Sequence, residues 1–124
     1  MKFGIFYEHQ LPRPWDEGAE HKLLKDALEQ VELADRLGFE YAWEVEHHFL
    51  EEYSHSSAPE VFLAAASQRT PKIRLGHVIV LLPSSYNHTA RVVERNNTLD
   101  LLSDLKSTRL NFRPSENSYA VSFL

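Results

Sequence analysis

The sequence predicts an α/β fold built on parallel strands. Three observations carry that reading. Short apolar or aromatic runs alternate with amphipathic helical stretches, strand then helix, three times in succession. The third run, His77-Val78-Ile79-Val80-Leu81-Leu82, is almost wholly apolar and rich in branched residues, the pattern of a strand covered on both faces. Strand–helix–strand units of this kind cross over in one hand and bring the C-terminal ends of their strands to a common edge, where ligand sites gather.

Met1 to Tyr7 reads as a strand, about residues 2–7, in which Phe3, Ile5 and Tyr7 recur at every second position. Glu8 to Gly18 holds Pro12, Pro14 and Gly18 and is a loop. A helix over about 20–37 follows, its apolar stripe made by Leu24, Ala27, Leu28, Val31, Ala34 and Leu37. Gly38 stands where a left-handed residue closes a helix, and Phe39 can fold back on the last turn. The second strand, 41–45, is Tyr41-Ala42-Trp43-Glu44-Val45 and runs into Glu46-His47-His48-Phe49. Ser57 with Glu60 has capping-box spacing, and Pro59 suits a first helical turn, so a helix over 59–68 is expected to bury Val61, Phe62, Ala65 and Ala66. The third strand spans 73–82. Asn87 is placed to cap a last helix over 88–102, with Val92, Val93, Leu99 and Leu102 apolar and Asn96-Asn97 interrupting the stripe. Lys106 to Phe112 can form a further weak strand. Residues 1–112 are thus read as one domain and 113–124 as an irregular tail.

Composition bounds the function. With 43% hydrophobic and 25% charged residues the 124-residue chain is ordinary globular material. Its formal charge of -5 excludes a strongly basic nucleic-acid binder. The absence of Cys removes disulfides, thiolate metal sites and a thiol nucleophile. No stretch approaches the roughly 20 apolar residues of a membrane span, and the N-terminus turns polar too soon for a signal peptide. A cytoplasmic protein without membrane or nucleic-acid partners is expected. No glycine-rich phosphate loop follows the first strand, which counts against a dinucleotide fold. A barrel of eight β/α units needs roughly 250 residues, so this chain has room for three or four of them.

Of seven His, five fall on loops after the strands: His9, His47, His48, His55 and His88. Glu46-His47-His48-Phe49 is the sharpest feature. Neighbouring residues at a strand end point to opposite sides, so one ring can face the ligand edge while the other packs on a neighbour. Imidazole moves protons near neutral pH; the plain alternative is a pair of solvated loop histidines. A metal site using Glu46, His47, His48 and His55 is a third reading, opposed by the lack of a helical i, i+4 spacing. Glu44 and Glu46 can act as paired carboxylates or simply charge a strand end, and Glu8-His9 admits the same two readings. Trp15 and Trp43 read as packing.

At these residues the chain resembles the bacterial luciferase-like flavin-dependent monooxygenase family. The matching pieces, in the family's order, are Met1-Lys2-Phe3-Gly4, Ala34-Asp35-Arg36-Leu37-Gly38-Phe39, Trp43-Glu44-Val45-Glu46-His47-His48-Phe49, Leu63-Ala64-Ala65-Ala66-Ser67, Ile73-Arg74-Leu75-Gly76 leading to Pro83, Asn87-His88 with Arg91 and Glu94, and Thr98-Leu99-Asp100-Leu101-Leu102-Ser103. The resemblance covers about residues 1–103. It implies the N-terminal part of a (β/α)8 TIM barrel, about three βα units. It also implies reduced FMN, or alternatively a deazaflavin, as cofactor, O2 and a small-molecule substrate, a separate flavin reductase, and a homo- or heterodimer formed through the second and third helices. By position, His47 matches the active-site His, Glu46 a flavin-proximal acid, and Val78 and Ile79 the residues against the flavin ring, where the luciferases proper carry small side chains. His48 and Glu94 match positions near the subunit contact. The chain departs from the family pattern at Thr89, where Pro is usual, at Asn96-Asn97, and after Ser103, where two glycines and an Arg are expected. It therefore reads as the N-terminal part of such an enzyme, truncated or shifted in frame, with a non-catalytic, self-associating fragment as the alternative.

Overall fold

The computed structural model describes residues 1–104 and 120–122. In chain order the elements are β1 (Gly4–Tyr7), α1 (Ala19–Leu37), β2 (Tyr41–Glu44), α2 (Pro59–Ser67), β3 (Arg74–His77), β4 (Ile79–Leu81), α3 (Thr89–Leu102) and β5 (Ala120–Ser122). The first three strands form a parallel sheet in the order β1-β2-β3, with Phe6 opposite Trp43 and Trp43 opposite Gly76. This is a partial β/α barrel: three strands with their helices on one face.

Alternation divides the sheet into two surfaces. Ile5, Tyr7, Ala42 and Leu75 turn toward the helices and join Ala27, Leu28, Val31, Ala34, Phe62, Leu63 and Ala66 in the main core. The other surface carries Gly4, Phe6, Tyr41, Trp43 and Gly76. No described element covers Phe6, which is 51% exposed, and Tyr41 stacks on Trp43 at 5.5 Å. Gly4 is required by closeness, because a Cβ there would stand 3.1 Å from that of Tyr41. Gly38, at φ 84, closes α1 as its position predicts, and Phe39 donates its N–H to the Ala34 carbonyl.

Asp35, on the helix side and buried, accepts the backbone N–H groups of Lys72 (2.8 Å) and Ile73. It ties the end of α1 to the start of β3. Such a carboxylate satisfies two donors that would otherwise be buried unpaired.

Several expectations are corrected. The single strand expected over 73–82 divides at Val78 into β3 and β4. Val78 still donates to the Glu44 carbonyl at 2.8 Å, but the Leu81 N–H is taken by the Glu46 side chain at 2.8 Å instead of a neighbouring strand. β4 then pairs antiparallel with β5, Val80 opposite Val121. The three residues of β5 lie inside the segment expected to be irregular; the rest of that segment, and the weak strand expected at 106–112, lie outside the described residues. The covered-on-both-faces pattern does not hold for Arg74, which is exposed, or for Val78, Ile79 and Leu81, which are half-buried. The capping box does not form: Ala58 is the N-cap of α2 and no side chain caps it. Nor does Asn87 cap α3, since His88 does so by accepting the Ala90 N–H on Nδ1. Leu37, Val61, Ala65, Val93 and Leu102 face solvent. The apolar stripes are therefore narrower than a count of apolar residues suggests. Asn96 fits within α3 because its side-chain amide donates back to the Val92 carbonyl.

Candidate active site

The C-terminal strand ends bring together residues far apart in sequence. After β1 the chain turns sharply at His9, whose φ is 53. After β2 the loop through residues 47–56 is stitched to neighbouring segments by backbone bonds: His47 N–H to the Ser56 carbonyl, His55 N–H to that of His9, and Leu11 N–H to that of Glu52.

Glu46 is a buried hub. One oxygen accepts from Leu81 N–H; the other lies 3.1 Å from His48 Nε2 and 3.2 Å from Asn87 Nδ2. Asn87 also donates to the Leu81 carbonyl and accepts from Arg95, which pairs with Glu60 at 2.7 Å. His48 meets the Tyr86 hydroxyl as well. His47 takes another direction. Its half-buried ring tilts against Tyr53 at a centroid distance of 5.7 Å, and among the described residues no hydrogen bond holds its nitrogens. The two histidines thus have different neighbours, one fixed to a carboxylate and one resting on an aromatic ring. Val78 and Ile79 stand half-buried at the junction of β3 and β4.

The four groups of the metal reading are not brought together. His55 Nδ1 pairs with Glu20 at 2.9 Å, while His48 pairs with Glu46, and among the described residues no three such groups converge.

Glu44 and His9 are corrections to the plain strand-end reading. Glu44 is fully buried and lies 2.7 Å from His9 Nε2; the Ser56 hydroxyl is 2.6 Å from the same oxygen and from the Val45 carbonyl. The His9 ring packs edge-on to Phe62 at 4.7 Å and stacks on Tyr7. Burial pushes the Glu44 carboxyl up, against the hydrogen bonds and charge of His9 and the Ser56 bond, which pull it down. The Tyr7 phenol is pushed up to about 12, first by burial and then by the Glu44 charge. The signal for this cluster was available as parity: Glu44 falls in step with Ala42 and opposite Tyr7, on the apolar side of the sheet.

His77 is a further buried polar group that apolar periodicity does not single out. It is buried on the helix side and its imidazole is held down to about 4, chiefly by burial. Among the described residues no hydrogen-bond partner meets either ring nitrogen, and a cavity of ≈ 10 Å³ lies beside it, between Glu46, Glu60 and Arg95.

Whether these residues suit a flavin can be judged from the surfaces they present. Val78 and Ile79 are half-buried apolar side chains, and the His47 ring nitrogens have no hydrogen-bond partner among the described residues, a chemistry that suits a planar ring. Glu46 has both oxygens engaged by protein donors. Arg13 and Arg95 are committed to Glu51 with Glu52 and to Glu60, so neither is free for a phosphate. The described side chains thus suit the ring's chemistry, and neither of these two arginines is free for its phosphate.

A family model described as luciferase-like monooxygenase matches residues 1–104. The limonene 1,2-monooxygenase of Rhodococcus erythropolis is 44% identical over 83% of this chain, which spans 25% of that protein. The crystal structure of monooxygenase RslO1 from Streptomyces bottropensis superposes with a TM-score of 0.73 at 34% identity, over 86% of this chain and 31% of that one. The oxygenating constituent of 3,6-diketocamphane monooxygenase from Pseudomonas putida, solved with FMN, shares the fold with a TM-score of 0.75 at 19% identity, over 86% and 28% of the two chains. The chain therefore spans about a quarter to a third of the length of the relatives it matches.

Proposed function

The chain belongs to the luciferase-like monooxygenase family, and on that premise we propose that it forms the first three β/α units of a flavin-dependent oxygenase that transfers one atom of O2 to a small organic substrate. The observation that carries this reading is the Glu46-His47-His48 turn. It sits at the C-terminal end of a parallel strand, where β/α barrels collect reacting groups, and leaves the His47 ring nitrogens without a hydrogen-bond partner among the described residues.

Reduced FMN, or a deazaflavin in its place, supplies the electrons that let O2 react. Everything else falls to the chain. His47 holds or returns a proton beside the ring, as an imidazole does near neutral pH. Val78 and Ile79 exclude water from the ring's face. Glu46, the proposed cofactor-side acid, acts from its network: it fixes the Leu81 N–H and the His48 ring and so sets the approach of the strand to the cofactor. His48 and Glu94 face a subunit contact of a homo- or heterodimer. A separate reductase delivers reduced flavin, and the enzyme works in the cytoplasm. Among the described residues no helix is long and apolar enough to cross a membrane.

The test is titration of the purified chain with FMN, followed by flavin absorbance and fluorescence, and then oxygenation of an alkene or ketone by the chain joined to the remaining strands of a barrel. Saturable binding and oxygen insertion support the reading. A completed barrel that binds flavin yet inserts no oxygen refutes it.

A second reading rests on a different observation. The uncovered surface of Phe6, Tyr41 and Trp43 suits a self-associating fragment without catalysis, because exposed apolar patches of this kind mark contact surfaces. A chain that associates and never takes up flavin, even when its barrel is completed, has that role.

A further inference from the structure

Glu44 is fully buried, at 0% exposure, so a molecule bound at the strand ends does not touch its carboxyl group. A buried carboxyl is tolerated where polar groups meet it. Its Oε1 lies 2.7 Å from His9 Nε2 and accepts the Ser56 hydroxyl at 2.6 Å. The same hydroxyl stands 2.6 Å from the Val45 carbonyl. Ser56 is itself buried, and its backbone carbonyl accepts the His47 N–H at 2.9 Å. One residue earlier, the His55 N–H donates to the His9 carbonyl at 3.0 Å. The segment ending in Ser56 is thus bonded on one side to the loop after β1 and on the other to the turn after β2.

The pattern of bonds at Ser56 is that of a strand with one member replaced. In a parallel ladder a residue accepts from one N–H of its neighbour and donates its own N–H to a carbonyl two positions earlier. Ser56 accepts from His47, two positions after Val45, but its own N–H goes to the Ser54 hydroxyl at 3.3 Å. Its side-chain hydroxyl takes over at the Val45 carbonyl and reaches Glu44 as well. That hydroxyl has a single proton between two acceptors, so removing it takes a donor from both. We propose that Ser56 is a positioning residue for His47, and that Glu44 is the buried anchor from which it works. Glu44 then aims the imidazole through the backbone without touching substrate. The inference rests on the reading of His47 as the group that moves a proton, and it deepens that reading: of the two carboxyl groups in Trp43-Glu44-Val45-Glu46, Glu44 acts through the amide of His47 as Glu46 acts through that of Leu81.

The first measurement uses the full chain: amide hydrogen exchange followed by NMR, in the parent, Ser56→Ala and Ser56→Thr. Ser56→Ala is expected to speed exchange at the His47 amide at least about 10-fold, the scale of a lost bond to a buried carboxyl group. The amides of Val31 and Ala34, inside α1, should keep their rates. Ser56→Thr retains the hydroxyl and should restore slow exchange at His47. An unprotected His47 amide in the parent overturns the proposal, as does an unchanged rate in Ser56→Ala. A rise shared equally by Val31 and Ala34 also overturns it, because Ser56 then serves stability alone. The second measurement uses the chain joined to the remaining strands of a barrel. Ser56→Ala should lower turnover about 10-fold with KM and flavin affinity unchanged, since a misplaced reacting group costs rate and not binding. In a His47→Ala background it should lower turnover no further; an equal further loss there overturns the proposal. A completed barrel that binds flavin yet inserts no oxygen refutes the oxygenase reading and not the tether, which the exchange rates decide alone.

Discussion

Acid should destabilise this protein through His77. Burial holds the imidazole down to about 4 from its ordinary 6.5. Between those values the unfolded chain binds a proton at this position and the folded chain does not, so stability rises with pH across that window and falls as pH drops through it. Each pH unit inside the window is worth about 1.4 kcal/mol. Acidifying from about pH 7 to about pH 5 should therefore remove about 2 kcal/mol through His77 alone. The Glu60 and Glu46 carboxylates pull the imidazole up and the Arg95 guanidinium pushes it down with burial, which outweighs both carboxylates. The assay is urea unfolding at both pH values, for the parent chain and for His77→Val. Valine keeps a branched strand residue and removes the titrating group. Whatever the variant's stability at neutral pH, its loss on acidification should be smaller by about 2 kcal/mol, a shift of about 1 to 2 M in urea midpoint for a chain of this size. Parallel losses in the two proteins would refute the reasoning, as would a His77 ring that titrates near its ordinary value in the folded chain.

Three more outcomes are expected. In a barrel completed with the remaining strands, His47→Ala should lower turnover about 100-fold with flavin binding kept, whereas His48→Ala should chiefly weaken dimerisation in sedimentation; equal small effects would make both residues structural. Glu44→Leu should cost about 3–5 kcal/mol, because it leaves His9 buried without its partner, and adding His9→Leu should recover much of that loss; thermal unfolding of the two variants shows whether the pair is coupled. Phe6→Lys should reduce self-association in sedimentation by charging the open aromatic surface, and an unchanged profile would place the contact elsewhere.

The order of elements was legible in the sequence because it rests on apolar period and on punctuation by Gly18, Gly38, Pro59 and Pro83. The gathering of the histidine-bearing loops at the strand ends was legible for the same reason. What escaped was anything set by contacts between segments distant in sequence. Glu44 looks like a strand-end charge until it is seen that Ala42 and Tyr7 share its side of the sheet. Ser57 and Glu60 have the spacing of a capping box, yet Glu60 goes instead to Arg95, more than thirty positions away. The division of 73–82 depends on the Glu46 side chain capturing the Leu81 N–H, and nothing within 73–82 announces it. His77 looks like a polar interruption in an apolar run; only its burial shows that it titrates abnormally.

Asp35 has a consequence that reaches to the far end of the sheet. Its carboxylate seizes the amides of Lys72 and Ile73 just before β3 begins, and thereby sets the phase in which that strand enters. Phase is unforgiving in a pleated strand, since a slip of one residue exchanges its two faces. With the present phase, Gly76 lies flat under the open side and His77 is sent inward among the helices. One step either way would bring a histidine out onto the open aromatic surface and push a backbone without a side chain into the core. A single carboxylate at the base of the sheet therefore decides which chemistry is displayed at its top.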